Sequence, residues 1–262
     1  MKIVTWNINS IRLRIDLIAK LAREEDPDLI LLQETKVENI SFPEEACRNL
    51  GFDHLFFDGE KSYNGVAILS KIPFDSQFSL KFYNEHKRHV AVKIKDIEVH
   101  NFYIPSGGDI PDTEINNKFL HKLEYLKELK EWFRLNRETN RDKIILAGDL
   151  NIAPLEHDVW SSRQLRNEVS HTDVERKLMM DIIKDFSWQD IGRNFVPKEQ
   201  KLYSWWSYRN RDWSKSNRGR RLDHIWLSEA LAGQCREFSI LKEARSYARP
   251  SDHVPVIAII EN

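Results

Sequence analysis

The stretch Lys143–Asn151 reads Lys-Ile-Ile-Leu-Ala-Gly-Asp-Leu-Asn. A short apolar run comes first, and a glycine, an acid and an amide follow directly. An apolar run of this length, bounded by turn-forming residues, is typical of a β-strand. Polar residues at the end of a strand lie on loops that a rigid scaffold holds in place, which is a common way to build a functional site.

The same strand pattern recurs along the chain. It predicts strands at Lys2–Trp6, Asp28–Gln33, Gly65–Ser70, His89–Ile94, Val99–Ile104, Lys143–Ala147, Asp223–Leu227 and Pro255–Ile260. Apolar residues at helical spacing predict one helix from Ile11 to about Ala22, ended by Asp26-Pro27, and a longer one from Ile115 to Phe133. Because a purely parallel βαβ array would not place so many strands in succession, the order of elements favours two packed β-sheets with helices outside.

Composition limits the class of protein more than the partners. The chain has 262 residues, with 40 Lys and Arg against 41 Asp and Glu, a formal charge of −1. Apolar residues make up 41%, which excludes a disordered or fibrous protein, and no apolar run approaches the length of a membrane span. Since no linker is visible, we expect a single domain over residues 1–262. Two cysteines and the absence of a secretory pattern favour the cytoplasm.

The polar residues that follow or precede the predicted strands are oxygen donors for the most part. They are Asn7, Asn9, Glu34, Tyr103, Asp149, Asn151, Asp223, Asp252 and His253. Asp149 and Asn151 are two residues apart, so in an extended segment their side chains point the same way. Carboxylate and amide oxygens suit a hard cation such as Mg²⁺, and a carboxylate can orient an imidazole. Together these groups favour displacement at phosphorus.

Each of these features alone has a simpler interpretation. Glu34 is also compatible with a solvated strand end, and Gly148–Asn151 with a turn closed by a side-chain hydrogen bond. Asp252-His253 is also compatible with a surface pair or a satisfied buried histidine, and Tyr103 with a core aromatic residue. Only the combination of all of them at strand ends favours a catalytic site.

A basic segment precedes the Asp223 strand. Residues 201–221 contain seven Lys or Arg and one acid, Asp212, which gives a local charge of +6. Tryptophan and tyrosine residues alternate with these charges. Basic residues interleaved with aromatic residues suit a polyphosphate backbone together with a base or sugar face. The alternative is a solvated basic loop whose aromatic residues lie in the core.

With these residues identified, the sequence resembles the exonuclease III family of AP endonucleases, within the endonuclease/exonuclease/phosphatase superfamily. The resemblance covers essentially the whole chain. It rests on ordered motifs: Trp6-Asn7-Ile-Asn9-Ser-Ile-Arg12, Leu32-Gln33-Glu34-Thr-Lys36, Asn64–Ser70, Tyr103-Ile-Pro105, Gly148–Pro154, Trp205-Trp206-Ser-Tyr208-Arg209, Arg221-Leu-Asp223 and Ser251–Pro255. It implies an α/β fold of four layers, two packed β-sheets flanked by helices, as in pancreatic deoxyribonuclease.

The resemblance also implies roles for these positions. The implied catalytic residues are Tyr103, Asp149, Asn151, Asp223 and His253: Asp149 and Asn151 align the attacking water, the Asp223–His253 pair and Tyr103 contact the phosphate. The implied ligands of Mg²⁺, with Mn²⁺ as a substitute, are Asn7, Glu34, Asp149, Asn151, Asp252 and His253. The implied DNA-binding residues are Arg12, Trp205, Arg209, Arg220 and Arg221, with Trp205 lining the pocket for an extrahelical abasic sugar.

The sequence departs from the family pattern at four positions. Ser106 follows Tyr103-Ile-Pro105 where many relatives have Asn, and Arg220 stands where a tryptophan is common. Arg209 occupies the place of a side chain that enters the DNA helix in some relatives, where it can act as a wedge or bind phosphate. Asn9 is an aspartate in part of the family, which weakens it as a metal ligand.

The function that the resemblance implies is a Mg²⁺-dependent DNA repair nuclease acting as a monomer on duplex DNA. It would cut 5′ to abasic sites, degrade duplex DNA from 3′ to 5′ and trim 3′ ends. Two alternatives stay open. One is a phosphodiesterase of the same fold that acts on a non-DNA ester, against which the basic segment argues. The other is a non-catalytic DNA-binding relative, in which clustered acids would repel DNA unless a cation lay among them.

Overall fold

The computed structural model describes residues 1–210 and 212–261. Its strands, numbered in chain order, are β1 Lys2–Asn7, β2 Leu29–Gln33, β3 His54–Glu60, β4 Tyr63–Ser70, β5 Ser76–Phe78, β6 His89–Ile94, β7 Ile97–Tyr103, β8 Lys143–Asp149, β9 Gln189–Asp190, β10 Trp205–Trp206, β11 Gly219–Arg220, β12 Asp223–Leu227, β13 Cys235–Ile240 and β14 Val256–Ile260. Its α-helices are α1 Ile11–Glu25, α2 Glu44–Arg48, α3 Asn117–Asn136, α4 Ser162–Leu165, α5 Asp173–Asp185, α6 Ile191–Phe195 and α7 Trp213–Ser216.

Two six-stranded sheets form the centre of the molecule. The first has the order β13-β14-β1-β2-β4-β3, and the second has the order β5-β6-β7-β8-β12-β9. Each sheet contains one parallel pair, β1 with β2 and β7 with β8, and its other neighbours are antiparallel. The short strands β10 and β11 pair separately.

The packing of side chains produces four layers. One apolar cluster lies between the sheets, a second lies between the first sheet and α1, and a third lies between the second sheet and α3 with α5. In β2, Leu29 and Leu31 face the central cluster while Ile30 and Leu32 face α1. A strand buried on both faces reads as an uninterrupted apolar run, which is why these segments are so clear in the sequence. The predicted four-layer α/β sandwich is confirmed.

The two predicted helices are present, with one correction. Helix α1 ends where the sequence indicates, because Asp26 adopts a left-handed backbone at φ 46° and its N–H bonds to Ala22 O at 3.2 Å. The prediction that Ile115 belongs to the apolar stripe of α3 was wrong. The Asn116 side chain accepts a hydrogen bond from the Lys118 N–H and caps the helix there. Ile115 therefore lies before the helix and is 72% exposed.

All eight predicted strands are present, with ends that differ by up to two residues. The strands that the sequence did not predict are short or lie at or next to a sheet edge: β3, β5, β9, β10, β11 and β13. The residues of β3 are all only partly buried, so its sequence mixes polar and apolar side chains. Within the described ranges, no helix is both long enough and apolar enough to cross a membrane.

Candidate active site

The predicted polar residues meet where the two parallel strand pairs end. Asn7 is the last residue of β1, and Glu34 directly follows β2. On the second sheet, Tyr103 ends β7, Asp149 ends β8 and Asp223 opens the antiparallel strand β12. Because parallel neighbours present their carboxyl ends at the same edge, the topology brings five side chains from distant parts of the chain to one place.

Asn7 and Tyr103 join the two sheets at this edge. Asn7 Nδ2 donates to Glu34 Oε1 and to Asp149 Oδ2, both at 2.9 Å. The Tyr103 hydroxyl donates to Glu34 Oε1, also at 2.9 Å. Asn7 Oδ1 in turn accepts the Asn9 N–H at 3.1 Å. Asn7 therefore offers an N–H, not an oxygen, to the carboxylates, so it orients these groups in this arrangement and does not serve as a direct metal ligand.

Asp149, Asp223 and His253 form the buried centre of the site. Asp223 and Asp149 are opposite each other in the antiparallel pair of β12 and β8. His253 Nδ1 lies 2.8 Å from Asp223 Oδ2, and Nε2 lies 3.7 Å from Asp149 Oδ2. One ligand atom from each of these three residues lies within 4.8 Å of the others, a spacing that can hold a metal ion. Asp223 Oδ1 is buried without a hydrogen-bond partner, which fits an additional positive charge at this place.

The buried charges act strongly on one another. Burial raises the pKa of the Asp149 carboxyl above its ordinary range; the charge of His253 opposes this rise, and the neighbouring Asp223 and Glu34 add to it. Burial alone would lower the pKa of His253, but Asp223 and Asp149 outweigh it and raise that pKa far above the usual imidazole range. His253 is therefore a cation with both ring nitrogens directed at carboxylates. A metal ligand needs an unprotonated ring nitrogen, so the predicted metal-binding role of His253 does not suit this arrangement.

Glu34 lies next to a lysine that the sequence-based site did not include. Lys36 Nζ is 2.7 Å from Glu34 Oε2 and 2.6 Å from Asn9 Oδ1. Burial raises the pKa of Glu34, but Lys36 and the Asn7 amide lower it more, so the carboxyl is ionised. The ammonium group shows that the oxygens of Glu34 and Asn9 together accept a cation. The adjacent position of Lys36 in the Leu32–Lys36 motif was the available signal.

Asn151 reaches the site through an unusual backbone. Its φ is 53°, so the segment after β8 is left-handed and not extended as predicted. The amide still lies beside Asp149, because Nδ2 donates to Asp149 Oδ2 at 3.1 Å and to Ile104 O at 2.9 Å. Lys122 Nζ donates to Asn151 O at 2.8 Å from the buried face of α3. A lysine at a helical core position gave no sequence signal for a place in this site.

Asp252 and Trp205 form the rim of the site. Trp205 Nε1 donates to Asp252 Oδ2 at 2.9 Å, and Asn9 Nδ2 donates to Asp252 Oδ1 at 3.2 Å. Both carboxylate oxygens of Asp252 thus have protein partners, as those of Glu34 and Asp149 do, and its metal-binding role stays a prediction. Arg12 is exposed in the first turn of α1, and Arg209 is exposed on the far side of the rim.

Arg221 does not lie where a DNA-binding role requires. Its side chain is buried and forms paired hydrogen bonds with Asp158 at 2.9 Å and with Asp190 at 2.8 Å. The prediction that Arg221 binds DNA was therefore wrong, because its guanidinium is buried and forms ion pairs with both carboxylates inside the protein. Arg220, one residue earlier, points the other way and lines the cavity. Arg211 of the same basic segment lies outside the described residues.

A cavity of about 810 Å³ opens from the catalytic groups. Glu34, Asn151 and His253 lie at one side of it. The remaining walls include Trp160, Trp205, Arg209, Arg218, Arg220 and Glu168. The basic and aromatic segment of the sequence is thus partly a wall of the site.

Comparison with protein families gives the site its context. A model of the endonuclease/exonuclease/phosphatase family matches residues 4–253, a range that includes all the candidate site residues. The chain belongs to this family. Its resemblance to exonuclease III proteins is confirmed by a relative called exodeoxyribonuclease III from Haemophilus influenzae, which is 29% identical over 98% of this chain and 99% of its own length. A DNA repair nuclease, APEX1 of Danio rerio, is 28% identical over 98% of this chain and 81% of its own length.

Solved structures of family members superimpose closely on the chain. An AP endonuclease from Archaeoglobus fulgidus aligns with a TM-score of 0.92 at 32% identity, covering 100% of both chains. A 3′ phosphatase, NExo, from Neisseria, in a structure bound to product DNA hairpin, aligns with a TM-score of 0.91 at 30% identity over 100% of both chains. The family fold is therefore retained from end to end.

Proposed function

We propose that this family member is a single-domain, Mg²⁺-dependent DNA repair nuclease. It hydrolyses phosphodiesters 5′ to abasic sites, removes nucleotides from 3′ ends of duplex DNA and trims damaged 3′ ends. The observation that carries the proposal is the buried cluster of Asp149, Asp223 and His253, which lies with the half-buried Glu34 beside a cavity whose wall includes tryptophan and arginine side chains. The names of its full-length relatives, exodeoxyribonuclease III and DNA repair nuclease, support DNA as the substrate.

The residues present fit a hard cation. Glu34 and Asp149 would hold Mg²⁺, since carboxylate oxygens are its preferred protein ligands and Lys36 already marks a cation position beside Glu34. When bound, the ion would neutralise part of the negative charge on the phosphoryl oxygens. Asn7 would keep both carboxylates in register, because its amide donates to each of them.

The protein groups then have separate tasks. Asp149 is placed to accept a proton from the attacking water, since its buried carboxylate lies 3.7 Å from the His253 ring at the centre of the site. Asn151 directs its amide beside that carboxylate. His253 is cationic and held by Asp223, so it can donate a hydrogen bond to a phosphoryl oxygen.

Burial and Glu34 raise the pKa of Tyr103, which keeps its hydroxyl as a neutral donor. The water oxygen bonds to phosphorus as the bond to O3′ breaks.

An abasic-site incision assay tests this function. Purified protein with Mg²⁺ should cut a duplex that carries one tetrahydrofuran residue and should digest a 3′-recessed duplex, and EDTA should stop both reactions. Asp149→Asn should lower kcat by about 10²- to 10⁴-fold, the usual contribution of general acid–base catalysis, with little change in DNA affinity. The exposed Asp16→Asn variant is the matched control and should retain full activity.

The outcomes separate the alternatives. Binding of the duplex without any product would favour the non-catalytic relative. Hydrolysis of a small phosphodiester such as bis(p-nitrophenyl) phosphate, with no cleavage of any duplex, would favour a non-DNA ester as substrate. Equal loss of affinity and turnover in Asp149→Asn would make Asp149 a structural residue.

A further inference from the structure

Arg220 is held in a fixed direction at the wall of the cavity. Strand β11 places it opposite Trp205 of β10, and its guanidinium lies 5.5 Å from the centre of the Trp205 ring. Its Nη1 donates to Val169 O at 2.8 Å and to Ser170 Oγ at 2.6 Å. These contacts use only one of the three guanidinium nitrogens. The others remain for a group inside the cavity.

The support behind Arg220 is itself rigid. Both oxygens of Glu175 accept the Ser170 N–H, at 3.0 and 2.9 Å, and Glu175 is paired with Lys122 at 2.5 Å. Lys122 also holds the backbone oxygen of Asn151 at 2.8 Å. One buried chain of charged and polar groups therefore fixes Arg220 on one side of the cavity and Asn151 on the other, so their separation is set by the core.

Arg220 differs from its neighbour in its charge balance. Arg221 is paired with two carboxylates, whereas Arg220 forms no ion pair in the part of the chain that the structure describes. Burial lowers the pKa of Arg220, which reflects the cost of keeping this cation away from water, and the charges of Glu168 and Glu175 offset only part of that effect. Glu175 is nearby, but its carboxylate pairs with Lys122 and accepts hydrogen bonds from Ser170 and Thr172. Glu168, on the rim of the same cavity, is exposed to solvent. A largely desolvated cation without a partner carboxylate favours binding of an anion.

We propose that Arg220 makes the cavity a subsite for an anionic group on the residue attached to the phosphate that is cleaved. The proposal rests on the proposed nuclease function and specifies its substrates. The anion is a carboxylate or a phosphate, both of which match a guanidinium in shape. It has two sources: the carboxylate of a glycolate fragment at a damaged 3′ end, and the 3′-phosphate of an internal abasic residue. In either case the water oxygen bonds to phosphorus and gives up a proton, the bond to O3′ breaks, and O3′ takes up a proton to become a 3′-hydroxyl. The terminal glycolate leaves as phosphoglycolate, whereas the internal abasic residue stays on the downstream strand with a 5′-phosphate.

Two pairs of substrates, whose members differ in the anionic group, test this subsite. One duplex ends in 3′-phosphoglycolate. Its partner ends in a 2-hydroxyethyl phosphate ester, in which a neutral hydroxyl replaces the carboxylate. A second pair carries a tetrahydrofuran residue either inside the strand, with its 3′-phosphate, or at the 3′ terminus, without it. The wild-type protein should prefer the anionic member of at least one pair, and the pair that is discriminated identifies the source of the anion.

Three variants assign the preference. Arg220→Gln should lower kcat/KM on the anionic substrate by about 10- to 100-fold, the value of a hydrogen bond to a charged group, while the neutral partner changes little. Arg220→Lys should retain part of the preference because it keeps the charge. Arg218→Gln, an exposed arginine on the same cavity, is the matched control and should affect both members of a pair equally.

Two results overturn the proposal in different ways. If the wild-type protein cleaves both members of each pair equally, or if Arg220→Gln slows both equally, Arg220 is a structural part of the wall and the nuclease function stands. If the wild-type protein cleaves none of the four substrates in Mg²⁺, the proposed function itself fails, and the subsite fails with it. Thermal melting of each variant shows whether a loss comes from unfolding.

Discussion

At the scale of single residues, the buried Lys122 links the core of the protein to the backbone of the site. It is fully buried, and its Nζ contacts Glu175 at 2.5 Å, Asn151 O at 2.8 Å and Ser106 O at 3.2 Å. Burial lowers the pKa of this amine, and the charge of Glu175 opposes that effect. Asn151 is left-handed at φ 53°, a conformation that is unfavourable for a residue with a side chain unless its surroundings fix it. We therefore expect Lys122 to influence turnover by holding the backbone of Asn151.

Substitution of Lys122 should separate turnover from binding. Lys122→Met should lower kcat by at least about tenfold and leave KM nearly unchanged, while loss of the buried partner costs about 3–5 kcal/mol in stability. Glu175→Gln keeps the side-chain shape, so it should shift kcat in the same direction if the first variant does not fold. Lys118→Met, on the exposed face of the same helix, is the control. A rise in KM with unchanged kcat in a folded variant would contradict this role.

The residues also show what a sequence can and cannot reveal about a site. Asn7, Glu34, Asp149, Asp223 and His253 could be predicted because polar side chains directly beside apolar strands stand out. Lys122 could not, since a lysine at a helical core position looks like a surface residue. Nor could the burial of Arg221, because its partners Asp158 and Asp190 are distant in the chain.

At the scale of elements, the hairpin of β6 and β7 carries a buried polar chain. His89 Nε2 lies 2.9 Å from His100 Nδ1, and His100 Nε2 lies 2.6 Å from Glu98 Oε1. Arg137 completes the chain with two hydrogen bonds to Glu98, both at 2.9 Å. Burial lowers the pKa of His89 and of His100, so both imidazoles are neutral in the folded protein.

The two histidines should make the fold sensitive to acid. Their pKa values are lowered in the folded state, so their stabilising contribution is present above the unfolded pKa of about 6.5 and is lost as pH falls below it. The free energy of unfolding in urea should therefore fall between pH 7 and pH 5, by up to about 1.4 kcal/mol per pH unit for each histidine. His100→Gln should flatten this dependence, whereas His54→Gln on β3 should not. An unchanged slope in His100→Gln would show that other groups govern the acid response.

Elements could be predicted to the extent that they are buried. The central strands β1, β2 and β8 are apolar on both faces, so their runs were unmistakable and their ends nearly correct. The edge strand β3 and the two-residue strands β10 and β11 were not predicted. An edge strand needs only part of its surface to be apolar, and a pair of residues is too short to show alternation.

At the scale of the whole molecule, the net charge of −1 conceals two local imbalances of charge. Carboxylates collect at the strand ends, and arginines collect on the cavity wall and rim. The local charge of +6 in residues 201–221 overstates the surface charge, because Arg221 is neutralised inside the protein. The described residues available to a DNA backbone are those that face the cavity and its rim, Arg209 and Arg218 among them.

Salt dependence of DNA affinity should distinguish the two kinds of arginine. Arg209→Ala should weaken binding of any duplex and reduce the slope of log K against log salt by about one, since one phosphate contact is lost. Arg221→Gln should leave that slope unchanged and lower the melting temperature, because it breaks a buried ion pair. A reduced slope in Arg221→Gln, at unchanged stability, would show that this side chain does reach the DNA.

The hydrogen bonds of Asn7 and Tyr103 join the two sheets at the site, so the thickness of the central core affects the geometry of the site. Glu34 stands on one sheet and Asp149 on the other, so the distance between them is set by the volume of the apolar side chains that fill the gap. A methyl group gained or lost in the central core would therefore change the distance between the carboxylates of Glu34 and Asp149. We therefore expect substitutions in the deepest packing to change the reaction rate as well as the stability.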